Sequence, residues 1–216
     1  DLDLFAYKQQ QRQTWGSSIG LHRLSGEFAP ASQRLIEWLG IGPDDHVLDV
    51  ATGTGRTAVL ARMTGASVEA VDISPVLIGE AEHFALASGF PDIHFTEADA
   101  EELPYPNDAF TVVTSTFGII HAPRPDVVSR EMDRVLAFGG RLGLATWRHD
   151  ATLHELVRLI PGGETQVRGV VNPAEWGRRE RVREFISQRY FPNLEFEEGE
   201  LLLSYPTVDA AWRDWS

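Results

Sequence analysis

The stretch Val47–Gly55, VLDVATGTG, decides the fold. Three apolar residues around one acid, Asp49, run into a turn with two glycines, and Arg56–Met63 behind it reads as a helix whose opening N–H groups face that turn. Gly53 and Gly55 carry no Cβ, so the backbone can turn sharply and a ligand can lie against it. A strand, a glycine turn and a helix in this order make a pocket for a nucleoside-bearing cofactor. Gly53, Gly55 and Ala58 also satisfy the loose dinucleotide pattern of two glycines and a small residue. Asp49 adds information, because a purely structural buried strand would carry Val or Ile there. A buried carboxylate is costly unless bonded. Asp49 therefore calls for a partner, either a ligand or the N–H groups of its own loop.

A second acid follows at the matching place. Ser67–Val71 alternates as a strand and ends at Asp72, followed by Ile73, Ser74 and Pro75, with Ser as N-cap and Pro at the first helical position. An acid at the end of the second strand of a nucleoside-binding α/β fold accepts from the ribose hydroxyls. The other reading of Asp72 is an acid placed to favour the dipole of the next helix.

Four ordered segments, VLDVATGTGRTA, VEAVDISPVLI, FTEADAEELPYPNDAFTVV and REMDRVLAFGGRLGLATW, resemble the successive motifs of class I S-adenosylmethionine-dependent methyltransferases of the small-molecule, UbiE-like kind. The likeness runs over residues 30 to 150. It implies a Rossmann-like, doubly wound, mostly parallel α/β sheet with helices on both faces, S-adenosylmethionine as cofactor and a small-molecule methyl acceptor. It places the loop residues Asp49, Ala51, Thr52, Gly53 and Gly55 against the cofactor, with Asp72 and Ile73 at the ribose. It further implies that Leu77 packs on adenine, that Asp99 faces the adenine amine, that the N–H of Ala100 faces a ring nitrogen, and that Thr116 borders the same site. Leu77 also reads as an ordinary core leucine, and Asp99 as the N-cap of a turn over Ala100–Leu103. The chain departs from the family at Ala51, where the first loop glycine usually stands. An alanine there predicts a negative φ.

Composition narrows the class. The 216 residues fit one α/β domain with insertions, and 43% hydrophobic content supplies a core. A net charge of −13 opposes broad attraction to nucleic acid, so no nucleic-acid partner is expected. No apolar run approaches a membrane span. The absence of cysteine removes disulfides, thiolate metal sites and Cys nucleophiles, and no His–carboxylate pair has helical metal-ligand spacing, so no metal is expected. A soluble, cytoplasmic protein is expected from the lack of a signal-like start, although the chain begins at Asp1 without Met.

The chain divides into a leading helical segment, 1–29, a cofactor-binding core, 30–150, and a C-terminal part of the same domain, 151–216, with a substrate-side insertion. In the first, a helix broken near Gly16 or Gly20 is expected. The resemblance makes Trp15 or Tyr7 part of a lid, and the alternative is that these rings pin a terminal helix to the core. Strands are expected at Ile93–Glu97, Phe110–Thr116 and Arg141–Trp147, and helices at Pro30–Leu39, Pro75–Ser88 and Arg124–Leu136. Phe117, His121, Trp147 and His149 leave the fourth and fifth strands on one side and, with Trp15, form a candidate acceptor wall. His121 is the candidate general base by location and usable pKa, and otherwise a hydrogen-bonded loop residue. Beyond Trp147, helices are expected at Ala151–Ile160 and Glu175–Arg189, the latter basic on one side, with a strand or hairpin at Leu194–Tyr205 and a helix at Pro206–Trp215. Two rival functions use the same motifs: a non-catalytic cofactor-binding module and a nicotinamide-dependent oxidoreductase, which leaves Asp49 and the Ala98–Ala100 segment without a role.

Overall fold

The computed structural model describes residues 3–17, 26–159, 167, 169–186, 191–203, 205–207 and 209. Its centre is a five-stranded parallel sheet: β1 (His46–Val50), β2 (Ser67–Asp72), β3 (His94–Glu97), β4 (Phe110–Thr116) and β5 (Leu136–Ala145), in spatial order β3-β2-β1-β4-β5. Helices α1 (Leu4–Ser17), α2 (Ala29–Leu39), α3 (Arg56–Met63), α4 (Pro75–Ala87), α5 (Pro125–Val135), α6 (Thr152–Leu159) and α7 (Arg179–Phe185) complete the described elements with two 3₁₀ turns, Ile119–His121 and Pro173–Gly177.

The central strands β1, β2 and β4 are buried on both faces, and alternate residues feed two cores. Val47, Val68, Ala70 and Val112 pack with Ile36 of α2, Ala58 of α3 and Ala85 of α4 on one face. Leu48, Val50, Val71 and Val113 pack with Val128, Met132 and Val135 of α5, and with Trp176 and Phe185, on the other. This is the doubly wound arrangement expected from the sequence. Its strand order reverses between β1 and β4, and ligands of such sheets lie beyond the carboxyl ends of the strands at that point.

Local chemistry sets the element ends. Ser74, extended at φ −96°, accepts from the Leu77 N–H at 3.4 Å, and Pro75 opens α4 as expected. Gly40, at φ +61°, closes α2. Elsewhere the sequence expectation needs correction. β5 starts at Leu136 and stops at Ala145, two residues short of Trp147, because Phe110 pairs with Leu136 and Val112 with Arg141, leaving a bulge over Gly139 and Gly140. α1 includes Gly16 and ends at Ser17, and Gly20, the other expected break point, lies outside the described residues. The basic helix expected at Glu175–Arg189 divides into the 3₁₀ turn Pro173–Gly177 and α7 around Arg178, which is extended at φ −106°, ψ 119°. Among the described residues of 191–205 no strand forms: this segment is held by side chains, with Phe196 under Arg179 and Arg183 and Glu197 and Glu198 bonded to Arg34, Arg148 and Arg179. Of the helix expected at Pro206–Trp215 only residues 206, 207 and 209 are described, and half of the loop 162–173 lies outside the described residues.

Candidate cofactor and acceptor site

The loop between β1 and α3 has an unusual backbone. Ala51 is left-handed at φ +55°, where a negative value was expected, and Gly53 and Gly55 are also left-handed at +57° and +79°. A Cβ placed on Gly53 would meet nothing within 4 Å, so this glycine supplies its φ and leaves the space above it open. A Cβ on Gly55 would sit 3.0 Å from the Cβ of Ala81, so that glycine also lets α3 approach α4. Ala51 keeps its conformation because the facing residue is Gly118, where a Cβ would fall 2.5 Å from both the Cβ and the carbonyl oxygen of Ala51. These two residues meet at the ends of β1 and β4, where the strand order reverses.

Asp49 is buried, with Oδ1 accepting from Thr114 Oγ1 at 2.8 Å and Oδ2 from Thr52 Oγ1 at 2.6 Å. Side-chain hydroxyls therefore carry most of the partnership expected of loop N–H groups, with the Ala58 amide adding to it. Burial pushes this carboxyl up to about 6, the two threonine hydroxyls pull it back, and the neighbouring Asp72 charge pushes it up again. Asp72 is also buried and held above its ordinary value by desolvation, against the amides of Ser74 and Gly53. Its Oδ2 accepts from Gly53 N at 2.8 Å and its Oδ1 from Ser74 N at 2.9 Å, so it joins the glycine loop to the start of α4. Both proposed roles of Asp72 remain geometrically compatible, since an ionised carboxylate has about four acceptor sites. Thr54 Oγ1 is buried between the two glycines with no hydrogen-bond partner among the described residues.

Leu77 is buried in α4 and Thr116 is half-buried, its Oγ1 accepting from Thr57 at 3.0 Å. Asp99 caps its own turn, accepting from Glu101 N at 2.9 Å. It also bonds Lys8 of α1 at 2.6 Å.

The rings expected to line the acceptor fall into two groups. Phe117, left-handed at φ +59°, stacks on Trp147 with ring centroids 4.0 Å apart and planes at 10°. Phe28 meets both edge-on at 5.4 and 5.5 Å. Trp15 reaches His121 at 4.6 Å. Burial lowers the His121 imidazolium to about 4, so this ring is neutral near pH 7. His149 does not join them: it is exposed, with Nδ1 3.4 Å from the carbonyl oxygen of Gly177. Close packing of the Gly177 backbone on residues 147–149 holds it there.

Residues 47–140 match the family profile described as "Methyltransferase domain". The chain carries a class I S-adenosylmethionine-dependent methyltransferase domain. An uncharacterized protein of Mycobacterium tuberculosis is 34% identical to this methyltransferase domain over 174 residues, covering 79% of the chain and 62% of the relative. The ubiquinone/menaquinone biosynthesis C-methyltransferase of Teredinibacter turnerae is 36% identical over 129 residues, covering 58% and 49%. Among solved structures, the [4+2]-cyclase SpnF is 30% identical with a TM-score of 0.51, covering 54% of this chain and 44% of that one. The chain thus spans about three fifths of the length of the first curated relatives it matches.

Three residues around the candidate site of this methyltransferase domain were not legible in the sequence. Phe28 completes the ring cluster from a position with no motif around it. Partly buried Lys8 and buried Glu101 form a charge pair across 93 residues, which no local pattern announces. Lys8 is drawn down by partial burial and raised more by its bonds to Asp99 and Glu101, so it stays charged. Among the described residues no group of three His, Asp or Glu side chains could hold a metal ion, and no helix is long and apolar enough to cross a membrane.

Proposed function

We propose that the protein binds S-adenosylmethionine at the reversal point of the sheet and transfers its methyl group to a small, predominantly apolar acceptor. The observation that carries this reading is the pair of buried acids at neighbouring strand ends, Asp49 and Asp72, bonded to Thr52 and Gly53 of an open glycine turn. The amino acid end of the cofactor lies near Asp49 and Gly53, where the unpartnered Thr54 hydroxyl and the open space above Gly53 fit a polar ligand. Asp72 takes the ribose hydroxyls with Ile73 beside it, and Asp99 and Ala100 take adenine.

Bound S-adenosylmethionine supplies an activated methyl on a cationic sulfonium. The protein's part is position and exclusion of water. The rings of Phe28, Phe117 and Trp147 supply an apolar wall, and α1 lies across the carboxyl edge of the sheet, with Trp15 on His121 and Gly16 against Ser74 and Val76. That placement supports a lid made by the leading segment. Aromatic walls and a strongly acidic chain favour a flat or apolar acceptor over nucleic acid.

The C-methyltransferase relative supports methyl transfer, and the cyclase likeness favours a second reading in which the same cofactor fold carries a different reaction. Incubation with methyl-labelled S-adenosylmethionine and apolar acceptors separates them. Label in the acceptor supports transfer, and product without label supports the second. A thermal shift with S-adenosylhomocysteine but not with NAD or NADP is expected. Asp72→Ala should lose about 1.5 to 3 kcal/mol of cofactor affinity, because neutral donors lose a charged acceptor. Unchanged affinity by calorimetry would sink the assignment.

A further inference from the structure

Helix α1 meets the loop after β3 through Lys8 and two carboxylates. Lys8 Nζ lies 2.6 Å from Asp99 Oδ2 and 2.6 Å from Glu101 Oε2. Glu101, a buried residue, receives three further bonds from Arg124: the backbone N–H at 2.8 Å, Nε at 2.8 Å and Nη2 at 2.7 Å. One helical turn on, Arg12 pairs with Glu97 at 3.1 Å. Lys8, Arg12 and Trp15 stand at i, i+4 and i+7, so one face of α1 carries all three contacts to the carboxyl edge of the sheet.

Asp99 and Glu101 are two carboxylates on one turn, joined by the Glu101 N–H to Asp99 Oδ1 bond. Side by side they repel unless a cation stands between them. Arg124 spends its bonds on Glu101, whereas Lys8 bonds both carboxylates. With Lys8 in place, the set carries two positive and two negative charges, and Asp99 is fixed on both oxygens. Each of those oxygens still has an acceptor site to offer.

We propose that Lys8 is a positioning residue for adenine recognition, which holds the Asp99 carboxylate in the orientation that meets the exocyclic amine and so makes the docking of α1 part of cofactor binding. This rests on the reading of Asp99 given above. It also explains why a helix outside the core motifs is fastened by a salt bridge to the loop that reads the base.

The test is calorimetry of the whole chain with S-adenosylhomocysteine and with its analogue bearing hydrogen in place of the 6-amino group. The parent should prefer the amine by about tenfold or more, the value of a hydrogen bond to a charged group. Lys8→Met should lose most of that preference with little change toward the analogue, and Lys8→Arg should restore it. Lys8→Gln, which keeps a neutral donor, serves if the methionine variant does not fold, with the same loss expected. The proposal is overturned if these uncharged variants keep the preference, lose affinity equally for both ligands, or bind S-adenosylhomocysteine more tightly than the parent does, which would make Lys8 a competitor of the amine. A parent with no preference overturns the Asp99 reading, and this proposal with it. Asp99→Ala distinguishes the two failures, since it removes the acceptor and with it any preference that Asp99 creates.

Discussion

Ala51 and Gly118 provide a sharp test of how the site is built. Adding a methyl group at Gly118 puts its Cβ 2.5 Å from the Ala51 Cβ and 2.5 Å from the Ala51 carbonyl oxygen. Gly118 itself has ordinary dihedrals, φ −92° and ψ −54°, so the cost of Gly118→Ala is crowding and not backbone strain. Overpacking of this kind costs about 1 to 3 kcal/mol, at the upper end here because one of the two contacts is backbone. Ala51→Gly works the other way. A non-glycine residue at φ +55° is strained by about 1 to 2 kcal/mol, of which about 0.4 to 1 kcal/mol is returned as greater freedom of the unfolded glycine, leaving a small net stabilisation. In the double variant the Cβ contact disappears and the carbonyl contact remains, so the two changes are coupled. Urea unfolding of the parent, both single variants and the double variant measures that coupling. Additive effects, or a destabilised Ala51→Gly, would refute the account of this contact.

The remaining predictions concern titration. The folded state protonates Asp49 near pH 6 against 3.8 for the free side chain, so its contribution to stability is fully present below about pH 3.8 and is lost as pH rises through about 6. The loss is about 3 kcal/mol, and Asp49→Asn should therefore gain about that much relative to the parent between pH 3.5 and 7 in paired urea titrations. A pH-independent difference would contradict the raised carboxyl. His121, lowered to about 4, should leave the rate flat from about pH 5.5 to 8, so a limb near pH 6.5 that vanishes in His121→Ala would show an imidazole in quite different surroundings.

Local order made much of the protein legible. The apolar run around Asp49 in Val47–Val50, the Ser74–Pro75 helix start and the Phe110–Thr116 run each depend on neighbours in the chain, and each element formed where it was read. The β5 boundary was not legible, because a bulge is set by which residue of β4 a strand meets, and Leu136 answers to Phe110. The strand at Leu194–Tyr205 failed for a related reason: apolar and acidic residues in alternation suit a strand, but ion pairs to Arg34, Arg148 and Arg179 bind this segment instead.

The sequence by itself determined the sheet, the glycine turn and the two acids that frame it, since those follow from periodicity and from residues whose chemistry acts within a few positions. Tertiary structure decided how they are satisfied. Whether Asp49 bonds loop amides or threonine hydroxyls depends on Thr114, which lies 65 residues away, and whether Ala51 can be left-handed depends on a glycine at the end of another strand. The same holds for Lys8, joined to Glu101 across 93 residues. Hydrogen bonds and steric contacts act over only a few ångströms, so a partner distant in the chain becomes known only when the fold has brought it within reach.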